Sequence, residues 1–347
     1  MQAFLPRLES VTYKSQQSAR ANSSHRHRRT RFIFAAIILT TATVFASQGT
    51  GRLLYTVPNT TFIEQPSGES VVTINDTSGS ISGVQSAIDS ARSANPNSVV
   101  VIHLLRGAIY TVNDAGLVLS SHECLVAEGA LIQAADSSVT VPLITIAPGS
   151  TNVSVSGGTI EGHGANTHGI FAAAASRVNI DHVVAKNFGL DGISLNGNGN
   201  TAFDNEMTVT RSEVSGNLGA GIHIQNSTQT TLLDNDCHDN ATGIQIAAAW
   251  ANVANNTCRH NTTGIDVSGG SDNVIANNTC NTNGVGIHAG AANGMIVSNS
   301  LGSNIVSGIQ TDGTGNTFID NLFTSGNTAN FVSSGTSNND ASSDFEP

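Results

Sequence analysis

The sequence predicts an all-β protein in which short strands wind into a solenoid of stacked coils. The first observation is a Gly-Ile pair that recurs with steps of 23, 29, 22, 21, 22 and 22 residues, at Gly169, Gly192, Gly221, Gly243, Gly264, Gly286 and Gly308. The second is that each period holds strand-like runs of a few residues, without the helices that a βαβ sheet needs. In stacked coils each backbone pairs instead with the coils above and below, about 4.8 Å away.

Composition supports this fold class. Charged residues make up 11% of the 347 residues and aromatic residues 5%, whereas glycine alone contributes 35 residues. These values argue against an amphipathic helical protein, which is rich in Glu, Lys, Leu and Ala. The 39% of hydrophobic residues recur in short, evenly spaced runs, which argues against a disordered chain.

Charge is divided unevenly along the chain. The first 46 residues hold 7 of the 14 Lys and Arg residues and 1 of the 25 Asp and Glu residues. The remainder therefore carries 7 basic and 24 acidic residues, a formal charge of −17. A surface of that sign repels phosphates, so nucleic acid is not expected as a partner.

The N-terminus predicts export. Residues 1–31 are basic and polar, and residues 32–46 form an apolar stretch that ends in small side chains. This pattern is typical of a secretory signal peptide, here residues 1–46, cut near residue 46. The stretch is shorter than the roughly 20 residues that span a bilayer. An uncleaved signal anchor is the alternative, and in both cases we expect a secreted body, extracellular or periplasmic, with no other membrane contact.

The rest of the chain divides into three predicted parts. Residues 47–80 are expected to be an N-terminal linker, residues 81–331 the stacked coils, and residues 332–347 a flexible polar tail. Within residues 82–94, Val84, Ala87, Ile88 and Ala91 recur at helical spacing. We expect a short helix there that caps the open end of the stack, where unpaired strand edges would promote aggregation.

Two further series run in phase with the Gly-Ile pairs. Cys237, Cys258 and Cys280 occupy one position that Val and Leu fill in other coils, from Val184 to Leu322. We expect stacked, inward-facing thiols rather than a zinc or redox site, since no CxxC motif is present; pairing between them is left open. Flanking asparagines predict hydrogen-bonded amide ladders, one from Asn187 to Asn304 and one from Asn235 to Asp320.

The Gly-Ile repeats, the asparagine series and the segment GGTIEGHG (residues 157–164) resemble right-handed parallel β-helix proteins of the pectate-lyase-like superfamily. The resemblance covers roughly residues 80–330. It implies a right-handed parallel β-helix, and it leaves activity open, because this fold carries lyases, glycosidases, epimerases and non-enzymatic proteins.

A polar groove is predicted on the outside of the coils. In each Gly-Ile-x-(Val/Ile) strand the residue x faces outward, because side chains alternate along a strand. The outward column then reads Phe171, Ser194, His223, Gln245, Asp266, His288 and Gln310. Such a groove suits an extended polymer. We therefore predict substrate contacts from four of its members, namely Ser194, Gln245, Asp266 and His288.

The catalytic candidates lie at one end of this groove. Asp191 and His223 fall in adjacent coils joined by the 29-residue step, whose surplus within residues 194–207 predicts a loop beside the groove. Lys186 is the only lysine after the signal and precedes Asp191 by five residues. A carboxylate, an imidazole and an ammonium group suit proton abstraction, proton return and neutralisation of a sugar carboxylate. The alternative is that these side chains only keep the outer surface soluble.

The segments ANTHG (165–169) and FGLDGIS (188–194) are similar to mannuronan C5-epimerases, whose matching stretch carries a catalytic Asp and His. The resemblance implies catalytic roles for His168 and Asp191, although Asn166 stands where that family has an acidic residue. The Gly-His-Gly of residues 162–164 is similar to polygalacturonases, but their paired-aspartate signature is missing.

Together these observations predict an exported, monomeric β-helix that binds a polysaccharide containing uronate and modifies it as a lyase or an epimerase. One alternative is a non-catalytic surface protein used for carbohydrate binding, adhesion or as a scaffold. Another is a periplasmic metal-maturation β-helix of the nitrous-oxide-reductase accessory type, for which no copper ligand cluster is evident.

Ca²⁺ is the one cofactor considered, since a charge of −17 repels polyuronate unless a cation bridges the anions. Asp234, Asp236 and Asp239 are either its ligands or surface carboxylates.

Overall fold

A computed structural model describes the backbone of residues 54–57 and 60–64, and residues 70–197 and 206–345, with side chains up to residue 340. By internal contacts the chain divides into residues 1–40, outside this range, and a unit of residues 41–347. The predicted signal peptide, residues 1–46, lies outside the described residues.

The described part begins with a β-hairpin, a strand and a helix. Strands β1 (Leu54–Val57) and β2 (Thr60–Glu64) pair antiparallel, and β2 contacts two strands of the early coils, Thr151–Ser156 and Ile170–Asp181. Strand β3 (Val71–Asn75) precedes helix α1 (Ile81–Ala94). Ser80 caps the helix, because its Oγ accepts a hydrogen bond of 3.2 Å from the N–H of Gly83. The buried Ile81, Val84 and Ile88 join the core, which confirms the predicted capping helix.

The remaining strands form a parallel β-helix of about 11 turns with three faces. We call the face of the Gly-Ile strands face 1; along the chain it is followed by face 2 and then face 3. The first strands after α1 are β4 (Val99–His103), β5 (Ile109–Val112), β6 (Leu117–Leu119), β7 (Glu123–Val126), β8 (Leu131–Ala134), β9 (Ile144–Ile146), β10 (Thr151–Ser156), β11 (Thr159–Glu161), β12 (Ile170–Asp181), β13 (Val184–Lys186) and β14 (Ile193–Gly197).

The later coils are shorter and more regular. Their strands are β15 (Met207–Thr210), β16 (Glu213–Ser215), β17 (Ala220–Thr228), β18 (Thr231–Leu233), β19 (Asp236–His238), β20 (Thr242–Ala249), β21 (Asn252–Ala254), β22 (Thr257–Arg259), β23 (Thr263–Gly269), β24 (Val274–Ala276), β25 (Thr279–Asn281), β26 (Val285–Ala289), β27 (Met295–Val297), β28 (Ser300–Gly302), β29 (Ser307–Thr311), β30 (Thr317–Phe323), β31 (Phe331–Ser333) and β32 (Asn339–Phe345). Most strands pair in parallel with the third strand before and the third after, as stacked three-strand coils require.

The cysteine column lies inside the stack. Cys237 pairs in register with Cys258, and Cys258 with Cys280; all three are fully buried free thiols. The predicted inward column is therefore confirmed. At both ends of the column the prediction was wrong by one residue. Ala185 and Phe323 fill the inward positions where Val184 and Leu322 were expected.

Asparagine ladders line two inner corners. In one of them the N–H of Asn217 donates to Oδ1 of Asn240 at 3.0 Å, and Nδ2 of Asn240 donates to the carbonyl of Val214 at 2.9 Å. The same pattern repeats down to the last members, so the predicted ladders are confirmed. The glycines of the Gly-Ile pairs leave space for this ladder. A Cβ on Gly243 would lie 3.0 Å from Nδ2 of Asn261 and 2.5 Å from a backbone oxygen of the next coil.

Both ladders differ from prediction at one end. Asn187 and Asp320 adopt left-handed conformations at corners, with φ of 60° and 50°. The next residues, Phe188 and Asn321, occupy the inward positions instead. Each such corner needs one left-handed residue before the inward side chain, and the repeat length alone does not locate it.

The β-helix extends beyond the predicted limits of residues 81–331. Strand β3, within the predicted linker, pairs with β4, and β32, within the predicted tail, pairs with β30. The reason for the second extension is that a further ladder continues there, since the N–H of Asn316 donates to Oδ1 of Asn338 at 2.9 Å.

Candidate functional site

The outward column of face 1 forms as predicted. Each of its members pairs in register with the next, in the order Phe171, Ser194, His223, Gln245, Asp266, His288 and Gln310. Gln245, Asp266 and His288 are partly exposed, as a substrate contact requires. Ser194 is only 2% exposed, so its predicted contact with substrate is not supported; its small side chain lies between those of Phe171 and His223.

Asp191 connects two histidines at one end of this column. Its Oδ2 lies 3.2 Å from Nδ1 of His223 and 3.5 Å from Nδ1 of His168. Its Oδ1 accepts a hydrogen bond of 2.8 Å from the N–H of Ala220. The side chains are 13% exposed for Asp191 and 21% for each histidine. The structure therefore brings together three of the four predicted catalytic residues in a partly buried cluster.

Neighbouring residues hold this cluster in place. The imidazole of His168 stacks on the ring of Phe171, with centroids 5.2 Å apart and planes 16° apart. A Cβ on Gly219 would lie 2.5 Å from Oδ1 of Asp191, so this position must be glycine for the carboxylate to sit where it does. The N–H of Asp191 itself donates to Nδ1 of His168 at 3.2 Å.

These contacts shift the protonation of the cluster. Burial acts to raise the pKa of Asp191, but the hydrogen bonds from His223 and Ala220 outweigh it, and the pKa lies below its usual value. Burial lowers the pKa of His168; it outweighs the attraction of Asp191, and His223 adds to the lowering. The result near neutral pH is an ionised carboxylate beside a neutral His168.

Lys186 does not belong to this cluster. It lies on face 3, where its Nζ forms an ion pair of 2.9 Å with Oε2 of Glu161. Nδ2 of Asn187 donates to the other oxygen of Glu161 at 2.6 Å. Asn187 then turns the chain through its left-handed corner, away from face 3 and toward Asp191 on face 1. Lys186 was expected beside Asp191 because only five residues separate them, but the two residues lie on different faces.

A second histidine on face 1 lies between two carboxylates. Nδ1 of His288 is 2.7 Å from Oδ1 of Asp266, and its Nε2 is 3.1 Å from Oδ1 of Asp312. Nε2 of Gln245 approaches Asp266 at 3.4 Å. Since both of its nitrogens face acceptors, His288 serves as a donor here and not as a base.

Two of the three candidate Ca²⁺ ligands pair with basic side chains. Asp236 pairs with Arg259 at 3.1 Å, and Asp239 with His238 at 2.7 Å. Within residues 70–197 and 206–340, no group of three or more His, Cys, Asp or Glu side chains is arranged to hold a metal ion.

In the same part of the chain, no helix has the length and apolarity to cross a membrane. Most of the predicted loop within residues 194–207, residues 198–205, lies outside the described residues.

Sequence reasoning missed several residues around these sites. Gly219 and Asp312 act through contacts between coils, which a repeat length does not show, and Phe171 was placed in the column without its stacking on His168. Glu161 and His163 line a face 3 cleft with Lys186. Both belong to the GGTIEGHG segment. A carboxylate and a histidine between glycines could have indicated a functional site there.

The chain matches two family models in part. The model described as "Periplasmic copper-binding protein (NosD)" matches residues 205–344, and the one described as "Right handed beta helix region" matches residues 143–263. No curated protein matches the sequence.

Solved structures with the same fold cover most of the chain. The A-module of Azotobacter vinelandii mannuronan C-5 epimerase AlgE4 has a TM-score of 0.57 and 17% identity over 76% of this chain and 91% of its own. The ORF18 protein of Geobacillus virus E2 has a TM-score of 0.61 and 12% identity over 86% and 69%. Pectate lyase Pel9A has a TM-score of 0.55 and 14% identity over 78% and 79%. At these identities the likeness concerns the fold, and the chain is a right-handed parallel β-helix protein.

Proposed function

We propose that this protein acts on an extracellular or periplasmic polysaccharide that contains uronate, by acid–base chemistry at Asp191, His168 and His223. Its reaction begins with removal of the proton beside the sugar carboxylate, the step that uronate lyases and C5-epimerases share. The observation that carries the proposal is the carboxylate of Asp191 between two histidines whose hydrogen bonds give them different roles.

His223 is the proposed base. The ionised Asp191 accepts a hydrogen bond from Nδ1–H of His223 at 3.2 Å, which assigns the imidazole proton to Nδ1. Nε2 then keeps its lone pair and accepts the substrate proton. The carboxylate also stabilises the imidazolium that forms, as in other Asp–His pairs.

His168 is the proposed hydrogen-bond donor to the substrate. Its Nδ1 accepts the N–H of Asp191, so the neutral ring carries its proton on Nε2. Its lowered pKa keeps the ring neutral near pH 7, so Nε2–H donates a hydrogen bond to the sugar carboxylate, and the stacking on Phe171 fixes the ring. In elimination, the imidazolium of His223 returns its proton to the leaving glycosidic oxygen, while His168 stabilises the negative charge on the sugar carboxylate. In epimerisation, the proton returns to the opposite face of the sugar ring from water.

The face 1 column supplies the proposed binding surface for the polymer. Its partly exposed members, Gln245, Asp266 and His288, continue from His223 along the helix axis at the coil spacing of about 4.8 Å. The acidic charge of the body repels polyuronate, so a divalent cation in solution is expected to favour binding. The basic and apolar N-terminus supports export to the compartment where such polymers occur.

The match to the NosD model favours a second candidate, copper handling. No described cluster fits a copper ion, so no role is derived for one. Titration with copper, followed by spectroscopy and metal analysis, tests this candidate: stoichiometric binding that His223→Gln abolishes would favour it over the uronate reaction.

An activity assay tests the proposal. The purified protein is incubated with pectate, alginate and other uronans, with and without Ca²⁺, and products are followed by ultraviolet absorbance of unsaturated sugars and by proton NMR. We expect His223→Gln and Asp191→Asn each to lower the rate about 10²- to 10⁴-fold. His260→Gln, which replaces an exposed histidine in a different coil, is the matched control and keeps full activity.

Two results contradict the proposal. The absence of product and of epimerised sugar on every polymer would refute the activity and favour a non-catalytic binding protein. Full activity of both His223→Gln and Asp191→Asn, in folded protein, would refute the site while leaving the activity.

A further inference from the structure

A second cleft lies on face 3, apart from the Asp191 cluster. It has a volume of about 550 Å³, within the range of small-ligand sites, and we name it the face 3 cleft. Gln133, Glu161, His163 and Lys186 line its polar part, and Ile109 and neighbouring residues line its apolar part.

The polar part of the cleft carries the one lysine of an acidic body. Residues 47–347 hold 24 acidic side chains, six arginines and one lysine, and that lysine lines this cleft. Its Nζ donates to Glu161 at 2.9 Å, and the side chain is 39% exposed. Because an ammonium group has three N–H donors, Lys186 has capacity for a ligand oxygen besides Glu161.

Glu161 holds the lysine in position. Burial acts to raise the pKa of Glu161, but its hydrogen bonds with Asn187 and Lys186 outweigh it, so the carboxylate stays ionised. Its side chain is 12% exposed, and both oxygens have partners within the protein. Glu161 therefore orients Lys186 and also cancels part of its charge. His163, whose Nε2 lies 3.4 Å from Oε1 of Gln133, adds an exposed polar ring.

The neighbouring outward column of face 3, which contains Ile109, suits the C–H face of a sugar ring. Ile109 is 57% exposed, although it is an aliphatic side chain on a strand. Beside it, Gly107 and Gly129 stack at a corner, where the N–H of Gly107 donates to the carbonyl of Gly129 at 2.8 Å. A Cβ on Gly107 would meet no atom within 4 Å, so the backbone here is open to a ligand.

The cleft continues toward the Asp191 cluster. An adjoining cleft of about 400 Å³ shares Glu161 and His163 and reaches Leu218. Leu218 is 78% exposed and precedes Gly219, the residue in contact with Asp191. The two sites are therefore joined around one corner of the β-helix.

We propose that the face 3 cleft is a second, non-catalytic binding site for a uronate residue of the polymer, whose carboxylate binds Lys186. This rests on the proposed function for the class of polymer. It assigns to Lys186 an anchoring role at a site distinct from the proton transfers at Asp191.

Binding measurements in a His223→Gln background, which prevents turnover, test the site. Pectate and alginate oligosaccharides are titrated by calorimetry and proton NMR, with a neutral oligosaccharide of equal length as control. We expect Lys186→Met to weaken uronate binding about tenfold, because a charge-assisted hydrogen bond is lost. Lys186→Arg keeps most of the affinity.

Glu161→Gln provides the sharper comparison. Removing this carboxylate leaves the charge of Lys186 uncancelled, so uronate binding is expected to become several-fold tighter and more salt-dependent, while binding of the neutral sugar is unchanged. A purely structural ion pair predicts no gain. The double variant Glu161→Gln/Lys186→Met avoids an unpaired carboxylate, and it should bind as weakly as Lys186→Met if that variant folds.

The outcomes separate this inference from the proposed function. Unchanged uronate affinity in the Lys186→Met and Glu161→Gln variants, with activity that depends on His223, would overturn the face 3 cleft and leave the reaction standing. Binding that depends on Lys186, with no product on any uronan, would support the cleft and refute the reaction. Absence of uronate binding to every variant would overturn the cleft.

Discussion

At the scale of single residues, His288 binds three coils together through its charge. Its hydrogen bond to Asp266 is the largest influence on it and raises its pKa; burial acts in the opposite direction, and the charges of Asp266 and Asp312 add to the rise. A histidine whose pKa is higher folded than unfolded stabilises the fold fully at a pH below its unfolded value, near 6.5. That contribution is lost as the pH rises through the folded pKa.

The effect of His288→Gln on stability is therefore expected to depend on pH. The variant should lower the melting temperature clearly at about pH 6, where the wild-type imidazolium binds both carboxylates, and much less at about pH 9. Thermal unfolding followed by circular dichroism at both pH values measures this. His260→Gln, with an exposed ring 3.9 Å from Asp239, serves as the control. An equal loss at both pH values would show that His288 acts without its charge.

The sequence predicted some site residues and misplaced others for a physical reason. His223 and Asp266 are in the column because a repeat of about 22 residues places equivalent positions above one another. Lys186 was expected beside Asp191 from its separation of five residues, but a corner at Asn187 lies between them and separates their faces. A period thus defines neighbours between coils, whereas contacts within a coil depend on where its left-handed residues fall.

At the scale of structural elements, the asparagine ladders connect the coils more specifically than the strands do. Asn261 accepts the N–H of Asn240 at 2.9 Å and donates to the carbonyl of Cys237 at 3.0 Å and to Oδ1 of Asn283 at 3.2 Å. These groups are buried, so each needs its partner. One side chain therefore satisfies polar groups of two neighbouring coils.

We expect Asn261→Ala to destabilise the fold by about 3 kcal/mol or more, because it leaves several buried backbone and amide groups without partners. Asn327→Ala is the matched control, since Asn327 makes equivalent bonds at the partly buried end of the same ladder. Its loss should cost less, because water reaches the freed groups. Urea unfolding of both variants measures the difference; equal costs would contradict the argument from burial.

The elements themselves were largely predictable. The strands follow from the repeat, and α1 follows from the spacing of Val84 and Ile88. The extension into β32 was not predicted, because that segment has few hydrophobic residues. Its place in the stack depends on Asn338, a single polar side chain that continues a ladder.

At the scale of the whole molecule, helix α1 covers the first coil. Its buried Val84 and Ile88 are part of the same core cluster as Leu104 and Leu117. Without this cover, the coil would present apolar side chains and unpaired strand edges to solvent. The stability of the stack therefore depends on a helix outside the repeat.

A charge on the buried side of α1 should open that end. We expect Val84→Asp to destabilise the protein by about 3 kcal/mol or more, because a carboxylate would be buried without a partner, and to promote aggregation. Ser86→Asp, on the exposed side of the same helix, should change stability by less than about 0.5 kcal/mol. Thermal unfolding and light scattering test the pair; similar behaviour of both variants would show that the helix does not act as a cover.

The register between the fully buried thiols of Cys237, Cys258 and Cys280 has one more consequence. Each inner coil offers the next the same backbone edge, the same amide and the same small inward side chain, so one coil is interchangeable with another. Duplication or loss of a single period would lengthen or shorten the protein by about 4.8 Å without a new kind of contact. The span of this scaffold can thus change in fixed increments, whereas the 29-residue coil that follows Asp191 has no equivalent coil that could replace it.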